Sequence, residues 1–127
     1  MKLVLIAAVL LVGASARAAE SIHTCSFNSD GDQGLRLKIR DGALAEVAFI
    51  NWDHSFIGEY EPVTPMRRQP AADSIAYVVT VRGELEDETH ILLVKKTLLQ
   101  GGDGGHEAVL DTSRDGGDWD YRCRPGD

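Results

Sequence analysis

The two cysteines of this 127-residue chain, Cys25 and Cys123, are the feature that most limits what it can fold into. They stand 98 residues apart, close to the two ends. A disulfide between them demands Cα atoms within about 7 Å of each other, so the first and last elements of the fold must be neighbours. Closing a loop of ~100 residues restricts the unfolded chain and is worth up to about 4.7 kcal/mol in the chain-entropy description. A zinc pair is a poor alternative, since no Cys-x-x-Cys spacing offers further ligands. A bridge between two chains is the other.

Pairing needs an oxidising compartment, and the N-terminus points to one. Lys2 precedes an apolar run over residues 3–12, and Gly13-Ala14-Ser15-Ala16-Arg17-Ala18 follows with an Ala-x-Ala cleavage pattern. A charged start, ~10 apolar residues and a small-residue end make a secretory signal peptide. The run falls short of the ~20 helical residues that span a bilayer. The expectation is a leader over 1–18 and one domain over 19–127, periplasmic or secreted. Removing Lys2 and Arg17 with the leader leaves 11 Lys and Arg against 20 Asp and Glu, a balance of −9. Such a charge argues against nucleic acid or an anionic membrane as partner, both of which need a basic face. It suits a cationic protein, drawn in by long-range attraction. The domain is read as a monomer with no cofactor.

Strand patterns fill that domain. Leu35-Arg36-Leu37-Lys38-Ile39-Arg40 alternates apolar and cationic residues with period two, as a half-buried strand does. Asp41-Gly42 marks a turn, and 43–51 is the return strand. A two-residue loop would set Leu37 against Glu46, placing an acid on the apolar face. A three-residue loop, Arg40-Asp41-Gly42, sets Leu37 against Ala45 and Leu35 against Val47, with Gly42 left-handed, and is the one expected. Residues 75–82 and 89–95 read as a second hairpin, 96–100 as one helical turn, and 106–111 and 119–123 as the last strands. Phe27 and Tyr121 each stand two residues from a cysteine and so share its face. Pro62, Pro65 and Pro70 make the middle a short strand at 56–60 followed by an irregular loop. Seven or eight short antiparallel strands with tied ends fit a small all-β barrel, whose closure removes exposed edges. A β-sandwich is the alternative.

No catalytic constellation stands out. Asp53-His54-Ser55 has the residue types of a nucleophilic triad, yet successive extended side chains point to opposite faces. His23, His54, His90 and His106 lack metal-binding spacing and read as surface or strand residues. Asn28-x-Asp30-x-Asp32 lacks the glycine and glutamate of a calcium loop. Asp111, Asp115, Asp118 and Asp120 gather enough carboxylates for a cation, with solvated turns as the plainer reading. Trp52, Phe56 and Tyr60 are taken as a core cluster. Leu35, Leu37, Val79 and Val81 suggest a filled interior rather than a lumen for a small ligand. These features favour a binding module over an enzyme.

Gly105-His106-Glu107-Ala108, with Cys123 fifteen residues after Ala108, resembles the Lys-Gly-x-Glu-Ala segment and terminal cysteine of the bacterial C-type lysozyme inhibitors, the MliC/PliC family. Asp73-Ser74-Ile75-Ala76-Tyr77 is similar to that family's Ser-Gly-x-x-Tyr motif, with Ile75 at the glycine and one residue fewer before the tyrosine. Gly104 stands where the family has lysine. The resemblance implies an exported, disulfide-tied, eight-stranded barrel that inserts a loop into the active cleft of lysozyme. It assigns Ser74, Tyr77, Gly104, His106 and Glu107 to partner binding, brings their two stretches together, and makes the partner a cationic secreted protein such as a lysozyme.

Overall fold

Alternating strands with tied ends assemble into an antiparallel, nearly closed barrel. The computed structural model describes residues 19–27, 34–50, 58–82, 85–113 and 118–126. The leader, the loop with Asn28, Asp30 and Asp32, the run Asp53-His54-Ser55, and Trp52, Phe56 and Asp115 lie outside them. The strands are β1 (Glu20–Phe27), β2 (Gly34–Arg40), β3 (Ala43–Ile50), β4 (Glu61–Pro62), β5 (Thr64–Pro65), β6 (Ser74–Val81), β7 (Glu88–Lys95), β8 (Val109–Asp111) and β9 (Trp119–Pro125). One short helix, α1, covers Lys96–Leu99. The ladder order is β4-β3-β2-β1-β9-β8-β7-β6-β5.

The cysteines sit in mid-sheet. Cys25 faces Cys123 across the β1–β9 ladder, and the two are bonded with Cα atoms 3.9 Å apart. Phe27 faces Tyr121 on the same side, with ring centroids 5.8 Å apart. Inside, Leu35, Leu37, Val47, Val79, Leu92, Val94, Val109 and Tyr121 are all but inaccessible. Each such aliphatic side chain gains about 1.5–3 kcal/mol by leaving water. Leu98 and Leu99 of α1 join the same core. The Leu99 carbonyl lies beside Gly42, so the helix closes the barrel end that holds the β2–β3 turn.

That turn is not the three-residue loop expected. Arg40 pairs with Ala43, leaving Asp41-Gly42 alone as the loop, with φ of +54° and +76°. Two positive φ values are what a tight two-residue hairpin turn requires. A bulge keeps Glu46 off the apolar face. The register shifts between Lys38 and Ile39, so Ala45 is passed over, Lys38 meets Glu46 and Leu37 meets Val47. The bulge also turns Leu44 inward opposite Ile39, where both are buried. Alanine is small enough to occupy the unpaired position without losing a packing contact.

Two of the three prolines expected in an irregular loop, Pro62 and Pro65, form edge strands instead, and Pro70 lies in a bend. Proline has no N–H to donate and is therefore tolerated at an edge. Glu61 and Pro62 pair with Val47 and Glu46 of β3, while Thr64 and Pro65 pair with Val78 and Tyr77 of β6. Val63 N donates to Ala45 O at 3.2 Å and Met66 N to Ala76 O at 2.9 Å. A single strap over residues 61–65 thus covers both edges of the sheet and closes the barrel along one seam. Tyr77 spans the seam from inside, its hydroxyl accepting the Leu44 N–H at 3.2 Å. Two smaller differences remain. Residues 106–108 turn rather than extend, so β8 starts at Val109. Tyr60 lies under the Lys38 ammonium, 4.1 Å from its ring centroid, not in the core.

Candidate functional site

The loop after α1 is held in one shape by its own backbone. Gly101 N donates to Leu98 O, and Gly102 N to Thr97 O at 2.8 Å. The Asp103 carboxylate accepts the Gly105 N–H at 3.0 Å. Gly104 has φ +74°, and a Cβ there would stand 2.8 Å from the Ala108 Cβ. Glu107 is exposed yet left-handed, at φ +55°. A non-glycine residue in that region is strained and persists where its surroundings over-determine it. Those surroundings are firm: Ala108 is fully buried, and its carbonyl accepts Lys95 N at 2.9 Å.

Ser74 opens β6 directly opposite Lys95, the last residue of β7. Their side chains therefore both point away from the barrel interior, Ser74 being covered to 6% exposure. Ser74 Oγ lies 3.1 Å from Asp73 Oδ1, to which it donates. Asp73, Ser74, Lys95, Glu107 and Leu110 line a depression of about 120 Å³. His106 sits elsewhere on the loop, one Arg122 nitrogen lying within 2.6 Å of both its ring nitrogens, against a second depression with Asp103 and Gly105. Of the five residues the resemblance assigns, Ser74 and Glu107 meet, and His106 stands close by along the loop. Gly104 packs inward on Leu98 and Ala108. Tyr77 is 3% exposed and belongs to the core, where its hydroxyl accepts the Leu44 N–H. Lys95 enters the site unannounced, because its position beside Ser74 depends on a strand register that the residues alone do not fix.

The opposite end of the barrel holds a second polar centre. Period two puts Glu88, His90, Leu92 and Val94 of β7 on one face, and that face is the interior. Asp111, the last residue of β8, is fully buried. His90 Nδ1 lies 2.8 Å from Asp111 Oδ2. Ser113 donates to Asp111 Oδ1 from its backbone N–H at 3.1 Å and its hydroxyl at 2.7 Å. Burial alone raises a carboxyl pKa, but the hydrogen bonds from His90 and Ser113 outweigh it and hold Asp111 below its ordinary value. On the far side of the ring, His90 Nε2 is 3.3 Å from Glu88 Oε2. Phe49 packs on the imidazole with centroids 4.7 Å apart, and Phe27 stacks on Trp119 at 4.2 Å. A cavity of about 430 Å³ opens here, lined by Glu86, Asp87, Glu88, His90, Ser113 and Trp119.

An Asp–His pair is the orienting half of a hydrolytic triad. Here the neighbouring hydroxyl, Ser113, is turned to Asp111 rather than to Nε2. Asp111, proposed from sequence among carboxylates for a cation, instead accepts hydrogen bonds on both oxygens. Among the described residues, no three His, Cys, Asp or Glu side chains converge as a metal site. One signal for this centre was present in the sequence: His90 keeps step with Leu92 and Val94, and Asp111 with Val109, so both are polar residues at interior positions. No protein family, curated protein or solved structure matches this chain.

Proposed function

We propose that this chain is an exported, non-enzymatic binding module that recognises a cationic hydrolase of the lysozyme kind. One observation carries the reading: the stretch at Ser74 and the loop before Ala108, 33 residues apart, line one depression on a rigid barrel end. A loop fixed before binding loses little conformational freedom on docking. The left-handed Glu107 projects from it beside Ser74. Lys95 supplies the positive charge that the resemblance would seek at Gly104, and it lies opposite Ser74 in the ladder. In the complex, the Ser74 hydroxyl exchanges Asp73 for a carboxylate of the partner's cleft. The net negative charge raises the on-rate with a basic partner at low ionic strength.

The test is titration of a C-type lysozyme with residues 19–127, following lysis of bacterial cell walls at low and physiological salt. Inhibition that weakens with salt, and that Glu107→Ala and Lys95→Ala each reduce, supports the reading. No inhibition at micromolar protein in either buffer overturns it.

A further inference from the structure

The polar centre at the open end of the barrel is a site of its own, independent of the loop surface. Asp111 fixes the hydrogen on the imidazole. With its carboxylate ionised and already receiving two donors from Ser113, Asp111 accepts from His90 Nδ1. In the neutral ring, the lone pair then lies on Nε2. What Nε2 faces, 3.3 Å away, is a carboxylate oxygen of Glu88. With the ring neutral, two acceptors face each other across that gap; with the ring protonated, Nε2–H donates to Glu88 and fills it. His90 is 7% exposed and cannot turn away, being clamped by Asp111 on one edge and Phe49 on its face. The cavity in front adds Glu86 and Asp87 at the rim and the indole of Trp119 on the wall.

We infer that this cavity binds a basic side chain of a peptide or protein, whose guanidinium or ammonium donates at once to His90 Nε2 and to Glu88. A cation with several N–H donors satisfies both acceptors, whereas a neutral apolar group leaves them opposed. Guanidinium fits best, because its planar fork reaches two acceptors in one plane. The indole of Trp119 favours the same charge. A proton on Nε2 is the alternative occupant of the gap: the imidazolium then bridges Asp111 and Glu88 and leaves no acceptor for the ligand.

The probe is N-acetyl-arginine amide, with the isosteric neutral N-acetyl-citrulline amide as control. Binding is followed by NMR on the backbone amides of residues 88–91 and on the His90 ring nitrogens of the 19–127 chain. The arginine probe is expected to shift these signals saturably and to move Nε2 more than Nδ1. Glu88→Gln, at a side chain 71% exposed and so dispensable for folding, weakens the probe about tenfold or more, the usual worth of a charge-assisted hydrogen bond. Glu107→Ala leaves it unchanged, which separates this site from the loop surface. Equal shifts with citrulline, an unaltered affinity in Glu88→Gln, or a hydrogen already on Nε2 at neutral pH before ligand is added would each overturn the inference.

Discussion

Tyr77→Phe isolates the seam. The change removes one oxygen and keeps the ring, so the packing of a residue 3% exposed is conserved. What disappears is the acceptor for Leu44 N–H, 3.2 Å away and buried. A net hydrogen bond is worth about 0.5–1.5 kcal/mol, and a buried donor left unsatisfied costs about 1–3 kcal/mol. Near this point the strap also bonds β3 through Val63 N to Ala45 O, and no water reaches so buried an amide without the seam opening. The expected loss is therefore about 2 kcal/mol. With a urea slope of about 2 kcal/mol per molar for a domain of this size, the unfolding midpoint falls by about 1 M. Hydrogen exchange supplies the local readout: the Leu44 amide should lose protection more than the amides of β1 and β9, which lie across the barrel. Tyr77→Ala, which also removes the ring, should cost more, in the range of about 3–5 kcal/mol found for large aromatic truncations. A Tyr77→Phe chain with the parent midpoint and unchanged exchange at Leu44 would refute the role of the hydroxyl.

Three further outcomes are expected. Gly104→Lys, which would write the inhibitor family's lysine into the sequence, should destabilise the chain by about 1–3 kcal/mol from the positive φ alone, with the Ala108 contact adding to it; thermal melting checks this, and an unchanged melt would show that the loop rearranges freely. Cys25→Ser with Cys123→Ser should lower stability by about 2–5 kcal/mol while leaving the ladder intact at low temperature, measurable by urea titration against the oxidised parent. His23 is buried, its pKa lies below 6.5 because of that burial, and its Nδ1 finds no hydrogen-bond partner among the described residues. The folded state thus binds fewer protons than the unfolded one, so this contribution is whole above pH 6.5 and drains away as the pH falls through the folded value. Asp111, lowered from 3.8, loses its own contribution only in stronger acid. Urea midpoints at pH 7.5 and pH 5 should therefore converge in His23→Leu relative to the parent, and an identical pH dependence in both chains would discount His23.

The strands were legible wherever side chains alternate and faces differ in polarity. Leu35 to Arg40 could only be a half-buried strand, and the cysteines placed β1 beside β9. The hairpin loop was misjudged because the bulge rests on Ala45, whose small side chain fits a paired or an unpaired position equally well, so no hydrophobic pattern announces it. The strap was misjudged because proline weighs against strands in general, while an edge needs only alternate N–H groups, which Val63 and Met66 supply. For the candidate site, the meeting of Ser74 with Glu107 was foreseeable from resemblance alone. Lys95 and the His90–Asp111 pair were not, since each depends on a register between strands up to 21 residues apart. The sequence does show a polar residue in step with buried ones, but not what it faces.

The strap has a topological consequence. From Cys25 the chain passes through β2 and β3, crosses at Val63 to the other edge, returns through β6 to β9 and reaches Cys123, where the disulfide joins it to its start. Traced along covalent bonds alone, this is a closed hoop around the barrel wall, with the sulfur link and the strap on different parts of its circumference. Cutting the hoop at one place opens a circle into a line and separates nothing. A protease nick between Pro62 and Thr64 leaves one molecule whose two meanders still share the β1–β9 ladder, and reduction alone leaves the strap to hold them. Only both breaks together divide the covalent chain into its β1–β4 and β5–β9 halves, which the β1–β9 ladder still pairs.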